Sequence, residues 1–230
     1  DLHWQAPFVQ VFALSYSPWK LIAAFPPEQR LDLAGQGMAL ATTRMRASLY
    51  LRPETALPLD RFDAVIEGAS LRGDAGWALG FASANASLIA QEGGARAALR
   101  LLDVVPDQAL TGAVQDVLPA TLQRIDFLAD LDFEGPLALR SPATLQALRL
   151  QEAHLVWGDL RVTASGDLRP DAAGLAEGRV TLRVEGWQTG LAAAERAGLV
   201  PPQFQTALRS VLENLAAQSP EAGLLTLPLV

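Results

Sequence analysis

Alternation with a period of two constrains this chain more than any other feature. In the segment 43–52, Met45, Ala47, Leu49 and Leu51 alternate with Arg44, Arg46, Ser48, Tyr50 and Arg52. In 179–185, Val180, Leu182 and Val184 alternate with Arg179, Thr181, Arg183 and Glu185. In 125–134, Ile125, Phe127, Ala129, Leu131 and Phe133 oppose Asp126, Asp130, Asp132 and Glu134. Successive side chains of a strand point to opposite faces, whereas a helix would scatter these residues around its circumference. The segments therefore read as one-sided strands. A wet second face favours antiparallel pairing. Further strands are expected near 30–33, 61–71, 77–90, 96–102, 145–157 and 160–168. Turn signals at 73–76 (GDAG), 92–94 (EGG) and 170–174 (PDAAG) separate them, so the connections are short.

Helical spacing is confined to three places. In 201–218, Phe204, Leu208, Val211, Leu212 and Leu215 form a stripe, with Pro201 and Pro202 suited to the first turn. Segment 189–199 reads as a short helix capped by Gly198. Segment 107–119 carries Leu110, Val114, Val117 and Leu118 on one side. The expected class is α+β: a long, twisted, mostly antiparallel sheet with two or three helices on one face. One strand-rich domain covers 1–230. Within it, two weakly similar β-hairpin–helix units at about 79–119 and 160–201 reflect either a duplication or common local rules.

The apolar stretch 6–26 is as long as a membrane span but does not suit one. Gln10, Ser15, Tyr16, Ser17 and Lys20 interrupt it, and Pro7, Pro18 and Pro26 break helical hydrogen bonding. Its β-branched and aromatic residues predict a hairpin, with strands near 2–16 and 20–25 and a turn at 17–19 built on Pro18.

Half of the residues are hydrophobic and 19% are charged, which excludes disorder. The net charge of −7 argues against a general nucleic-acid partner. Absence of cysteine removes disulfides, thiolate chemistry and cysteine metal sites, without fixing a compartment. His3 and His154 stand outside any metal-ligand spacing, and His154 lies within a strand, where a structural role is the better prior. There is no G-x-S-x-G elbow, Walker A loop or G-x-G-x-x-G. Asp126, Asp130, Asp132 and Glu134 have calcium-type oxygens, but an extended strand spaces them along a line rather than around a point. Arg44, Arg46 and Arg52 could meet lipid phosphates, though a solvated face is the simpler account. The tryptophans Trp4, Trp19, Trp77, Trp157 and Trp187 lie near strand ends or turns, where they seal a core edge or line a groove. No catalytic, cofactor-binding or metal residue is assigned, and no ligand-binding residue can be named.

Several motifs carry a resemblance: Trp4, Ala6–Phe8, Gln10, Phe12–Tyr16 and Pro18; then 74–77, 157–168, 178–187 and 197–202. In that order they are similar to the domain-of-unknown-function 2125 family of alphaproteobacterial envelope proteins, over most of the chain. A more distant likeness, in 166–182, is to AsmA-like proteins. The first resemblance implies a periplasmic body tethered to the inner membrane by an N-terminal anchor. It implies too that the chain, which opens on DLHWQAPF and closes on LLTLPLV, lacks that anchor and its C-terminal end. It brings no activity and no catalytic residue. The expectation is a non-enzymatic envelope protein binding a lipid or other apolar ligand on the concave sheet face. The alternative is a structural or interaction module with a fully packed core, docking envelope proteins. An enzyme working with carboxylates alone is a weaker third reading.

Overall fold

The computed structural model describes residues 2–33, 35–138, 143–171, 175–219 and 223–229. Antiparallel strands take up most of them and form one thirteen-stranded sheet. In chain order the strands are β1 (Leu2–Gln5), β2 (Gln10–Leu14), β3 (Ser17–Phe25), β4 (Glu28–Leu33), β5 (Gln36–Leu51), β6 (Leu59–Gly73), β7 (Ala78–Gln91) and β8 (Gly94–Val105), then β9 (Leu122–Glu134), β10 (Thr144–Trp157), β11 (Leu160–Pro170), β12 (Ala176–Glu185) and β13 (Leu224–Leu229). Helix α1 (Gln108–Val114) follows β8, while α2 (Trp187–Arg196) and α3 (Pro202–Ala217) lie between β12 and β13. The alternating segments thus fold as expected, but the class is β-rich rather than α+β. The one-sided strands pair with each other, and among the described residues three helices are left to lie against them.

From β4 to β13 the sheet is a meander in which each strand pairs with the next. One side of β5 is shared: β4 pairs along Gln36–Ala41 and β3 along Met45–Tyr50, with Pro26 and Pro27 at the break between them. The expected opening strand is likewise divided. β1 pairs with β4 and β2 pairs with β3. The hairpin turn falls at Ser15–Tyr16, with Leu14 opposite Ser17, not at 17–19. Register then jumps to Ala13 opposite Leu21, so Pro18 lies in a bulge where no ladder hydrogen bond is asked of it. The expected GDAG turn is present: Gly76 takes φ +90° and its N–H donates to the Gly73 carbonyl at 2.9 Å. The PDAAG turn reaches residues 172–174, outside the described residues.

One transverse line of irregularities crosses four strands. Thr42 pairs with Ala69 and Arg44 with Glu67; Ala69 and Glu67 pair with Phe81 and Ser83; these pair with Val104 and Leu102. Thr43, Gly68, Ala82 and Asp103 are thereby aligned in a crease. Gly68 (φ +56°) and Asp103 (φ +52°) are left-handed there, a conformation that is costly for residues other than glycine. A Cβ on Gly68 would lie 2.4 Å from the Thr43 hydroxyl. Across the crease the buried parity of β5 changes, from Met45 and Ala47 on one side to Thr42 and Leu40 on the other. The same face therefore stays inward on both sides.

All three helices pack on this inward face at the β10–β13 end. Val114 and Leu118, at and beyond the end of α1, meet Ala193 of α2 over Trp157 and Leu160. Trp187 and Leu191 of α2 bury Leu225 of β13 together with Leu208, Leu212 and Ala216 of α3. The expected stripe on α3 is divided: Leu208 and Leu212 face the sheet, whereas Phe204, Val211 and Leu215 are exposed. Among the described residues β13 is the edge strand on that side, and only a narrow line of α3 packs on it. The segments 79–119 and 160–201 each hold a hairpin and then a helix, β7–β8–α1 and β11–β12–α2.

Candidate functional site

Registers across the sheet place apolar residues opposite apolar residues over nearly its whole width. One transverse row runs Val11, Ala23, Ala47, Ala64, Ala86, Leu99, Phe127, Ala153, Ala164, Leu182, Leu227. A second, on one side of it, runs Phe25, Met45, Ile66, Ala84, Leu101, Ile125, Leu155, Val162, Val184, Leu225. A third, on the other side, runs Ala13, Leu21, Leu49, Phe62, Leu88, Ala97, Ala129, Leu150, Gly166, Val180, Leu229. None of the three contains a charged residue.

These rows have relief. Ala23, Ala47, Ala64 and Ala86 are consecutive in the first row, between Phe25, Met45 and Ile66 on one side and Leu21, Leu49, Phe62 and Leu88 on the other. Strands lie about 4.8 Å apart, so four of them give a trough about 14 Å long. Its walls, four residues apart on each strand, stand about 13 Å apart from backbone to backbone. Ala47 and Ala64 are buried, while Met45, Leu49, Phe62 and Ile66 remain partly exposed.

The helices cover the rows only at the β10–β13 end, where both helix-bearing clusters lie. Total accessible surface records the consequence. A compact chain of 24.5 kDa exposes about 10,000 Å². This chain exposes 14112 Å². The difference, roughly 4,000 Å², is what a sheet keeps when much of one face has no second layer.

The opposite face is polar and largely satisfied within the chain. Arg100 and Arg124 both donate to Asp126, and Arg96 donates to Asp130 at 2.8 Å, with Gln151 completing that carboxylate. Partial burial pushes the Asp126 carboxyl up, but the two arginines outweigh it and hold it below the usual carboxylate range. The Arg96 hydrogen bond holds Asp130 low in the same way. Glu134 accepts from Gln146 at 3.1 Å. The strand therefore spaces these acids into a cross-strand ladder, and among the described residues no three His, Asp or Glu side chains converge. Arg44 pairs with Glu67 at 3.1 Å, while Arg46 and Arg52 are exposed. His154 lies on this polar face with Nε2 2.6 Å from Glu152. An open depression of about 530 Å³ here is lined by Arg61, Asp63, Arg100, Arg124, Asp126 and His154 among others, and each arginine is already paired with Asp63 or Asp126. The side chain of His3 lies outside the described residues.

The tryptophans differ in how far they are packed. Trp4 donates to the buried Gln29 at 3.0 Å and meets Phe25 edge-on. Trp77 lies over Gly73, where a Cβ would be 2.2 Å from its indole nitrogen. Trp157 donates to the Pro119 carbonyl at 2.6 Å. Trp187 is 5% exposed, and its indole N–H has no hydrogen-bond partner among the described residues. Trp19 is 40% exposed on β3. Sequence reasoning identified the strands of the apolar face but not its rows, because the registers that align them are set by bulges.

No curated protein and no solved structure matches the chain. A family model does match, over residues 1–230, and it is described as an uncharacterized protein conserved in bacteria; the chain belongs to this family, DUF2125.

Proposed function

We propose that this is a non-enzymatic lipid-binding protein of the bacterial envelope, holding acyl chains or a similar apolar ligand against the uncovered face of β3–β9. The observation that carries this reading is the combination of three uncharged transverse rows with roughly 4,000 Å² of surface beyond that of a compact chain. The uncharged rows contribute a contiguous apolar part of that surface, and a large exposed apolar patch is costly in water unless a ligand or partner takes it up. The alanine trough supports an elongated ligand: about 14 Å long and walled by larger side chains, it follows the rows across the strands. A periplasmic setting, tethered to the inner membrane, rests on the motif resemblance to envelope proteins; in that setting lipids are the abundant apolar cargo.

The test is displacement of a fluorescent fatty acid from the purified chain. Leu99→Asp in the first row and Leu49→Asp in the third, both on the uncovered strands, are expected to weaken binding by about tenfold or more, the equivalent of about 1.4 kcal/mol. A folded chain that binds no fatty acid or phospholipid refutes the reading. Binding that ignores both charges removes the ligand from this face.

A further inference from the structure

We propose that the β2–β3 hairpin docks into the interfacial layer of a lipid bilayer. Phe8 is 57% exposed, Val11 58%, Phe12 57%, Tyr16 80% and Trp19 40%. They are close in sequence, and they do not share a face. Val11 pairs with Ala23 and Phe12 with Ile22, so adjacent large side chains of β2 point to opposite sides of the sheet. A ligand or partner lying on the apolar face would cover Val11 and leave Phe12 wet. A surrounding medium covers both.

Charge points the same way. The chain carries −7 overall, yet residues 2–27 contain no acid, and the one lysine of the sequence, Lys20, is among them. Lys20 forms the last pair between β3 and β5, with its Nζ 4.6 Å from the Tyr50 ring centroid. Residues 14–19 extend beyond that pair. The tip is therefore apolar and aromatic with a cation at its base, an order that matches a bilayer surface read from the acyl boundary outward to the phosphates. Trp and Tyr favour this layer because each has an apolar body and a polar end.

Depth follows from the backbone. Among the described residues no strand pairs with the outer edge of β2, so its N–H and C=O groups need water or headgroups. In hydrocarbon each would cost several kcal/mol. The hairpin accordingly lies in the interface and does not span. Docking needs no ligand on the apolar face, so it stands apart from the lipid-binding reading. Val11 nevertheless heads the first transverse row, and docking would bring that end of the row to the membrane.

Cosedimentation of the 230-residue chain with phosphatidylcholine vesicles tests the proposal. The chain is expected to sediment with vesicles, and Phe12→Asp combined with Tyr16→Ser should lower its partition coefficient about tenfold. Both positions are exposed, so circular dichroism and urea melts should be unchanged. Val65→Asp, 44% exposed on β6, should sediment as the parent does. Fatty-acid displacement without vesicles should survive Phe12→Asp, because Phe12 points away from the apolar face. A parent chain that stays in the supernatant, or a double variant that still sediments, overturns the proposal. Self-association without vesicles that Phe12→Asp abolishes would assign the hairpin to a second copy instead.

Discussion

Aspartate at Leu99 and aspartate at Leu225 should have very different consequences, although both leucines point to the same face of one sheet. Full burial of a leucine side chain contributes about 1.5–3 kcal/mol. Leu99 is only partly covered, so losing it costs about 1–2 kcal/mol. The new carboxylate keeps water on its open side and stays hydrated. Leu225 is 2% exposed beneath Trp187, Leu191 and α3. Deleting it costs about 2–5 kcal/mol with the cavity included, and an unpaired buried charge adds several more. Domains of this kind have about 5–15 kcal/mol in total. In urea melts followed by circular dichroism, Leu99→Asp should shift the midpoint and stay cooperative, while Leu225→Asp should lose its folded baseline. Fatty acid at about 100 times the parent's Kd should stabilise the parent by about 2.7 kcal/mol and Leu99→Asp, binding tenfold more weakly, by about 1.4 kcal/mol or less at the same concentration. If Leu99→Asp unfolds as readily as Leu225→Asp, the face is sealed in solution and the argument from uncovered surface fails.

Three further outcomes are expected. Stability should fall as pH drops through the carboxylate range: Asp126 and Asp130 have depressed folded-state values, so their contribution is present above about pH 4 and is lost below it. Urea midpoints between pH 7 and pH 3 should therefore decline less steeply in Asp126→Asn than in the parent. Gly68→Ala should cost about 1–3 kcal/mol from its left-handed backbone and the approach to Thr43; adding Thr43→Ala should recover only the steric part in thermal melts. Trp157→Phe removes the hydrogen bond to the Pro119 carbonyl and should cost only about 0.5–1.5 kcal/mol, since that exposed carbonyl finds water instead.

Much of the sheet was legible because the strands are one-sided: Met45, Ala47 and Leu49 do point the same way. Legibility ended where two segments had to find each other. The sequence around Pro18 is turn-like by composition, but the pairing of β2 with β3 closed the turn at Ser15–Tyr16 and moved the proline into a bulge. Nothing within 2–16 announces that β1 will leave its neighbour for β4. On α3, spacing identified every apolar position of the stripe without saying that β13 is, among the described residues, the edge strand beneath it. The polar face shows the same limit: Asp126 and Asp130 looked like a row of free acids until β8 brought Arg96 and Arg100 alongside.

The crease through Thr43, Gly68, Ala82 and Asp103 also bears on how the chain avoids misfolding. β5 to β8 are long and repetitive, and a slip of two residues between neighbours would still put apolar side chains inward and polar ones outward. Alternation cannot penalise such an error. The crease can: a slip between neighbours would set the left-handed Gly68 of β6 or Asp103 of β8 against a regular stretch of the adjoining strand and break the pairing there. It acts as a notch cut at matching heights in four otherwise interchangeable slats, so that only one alignment lets them all close. An insertion or deletion in one strand alone would carry its notch out of line, so these four strands can change length near the crease only together.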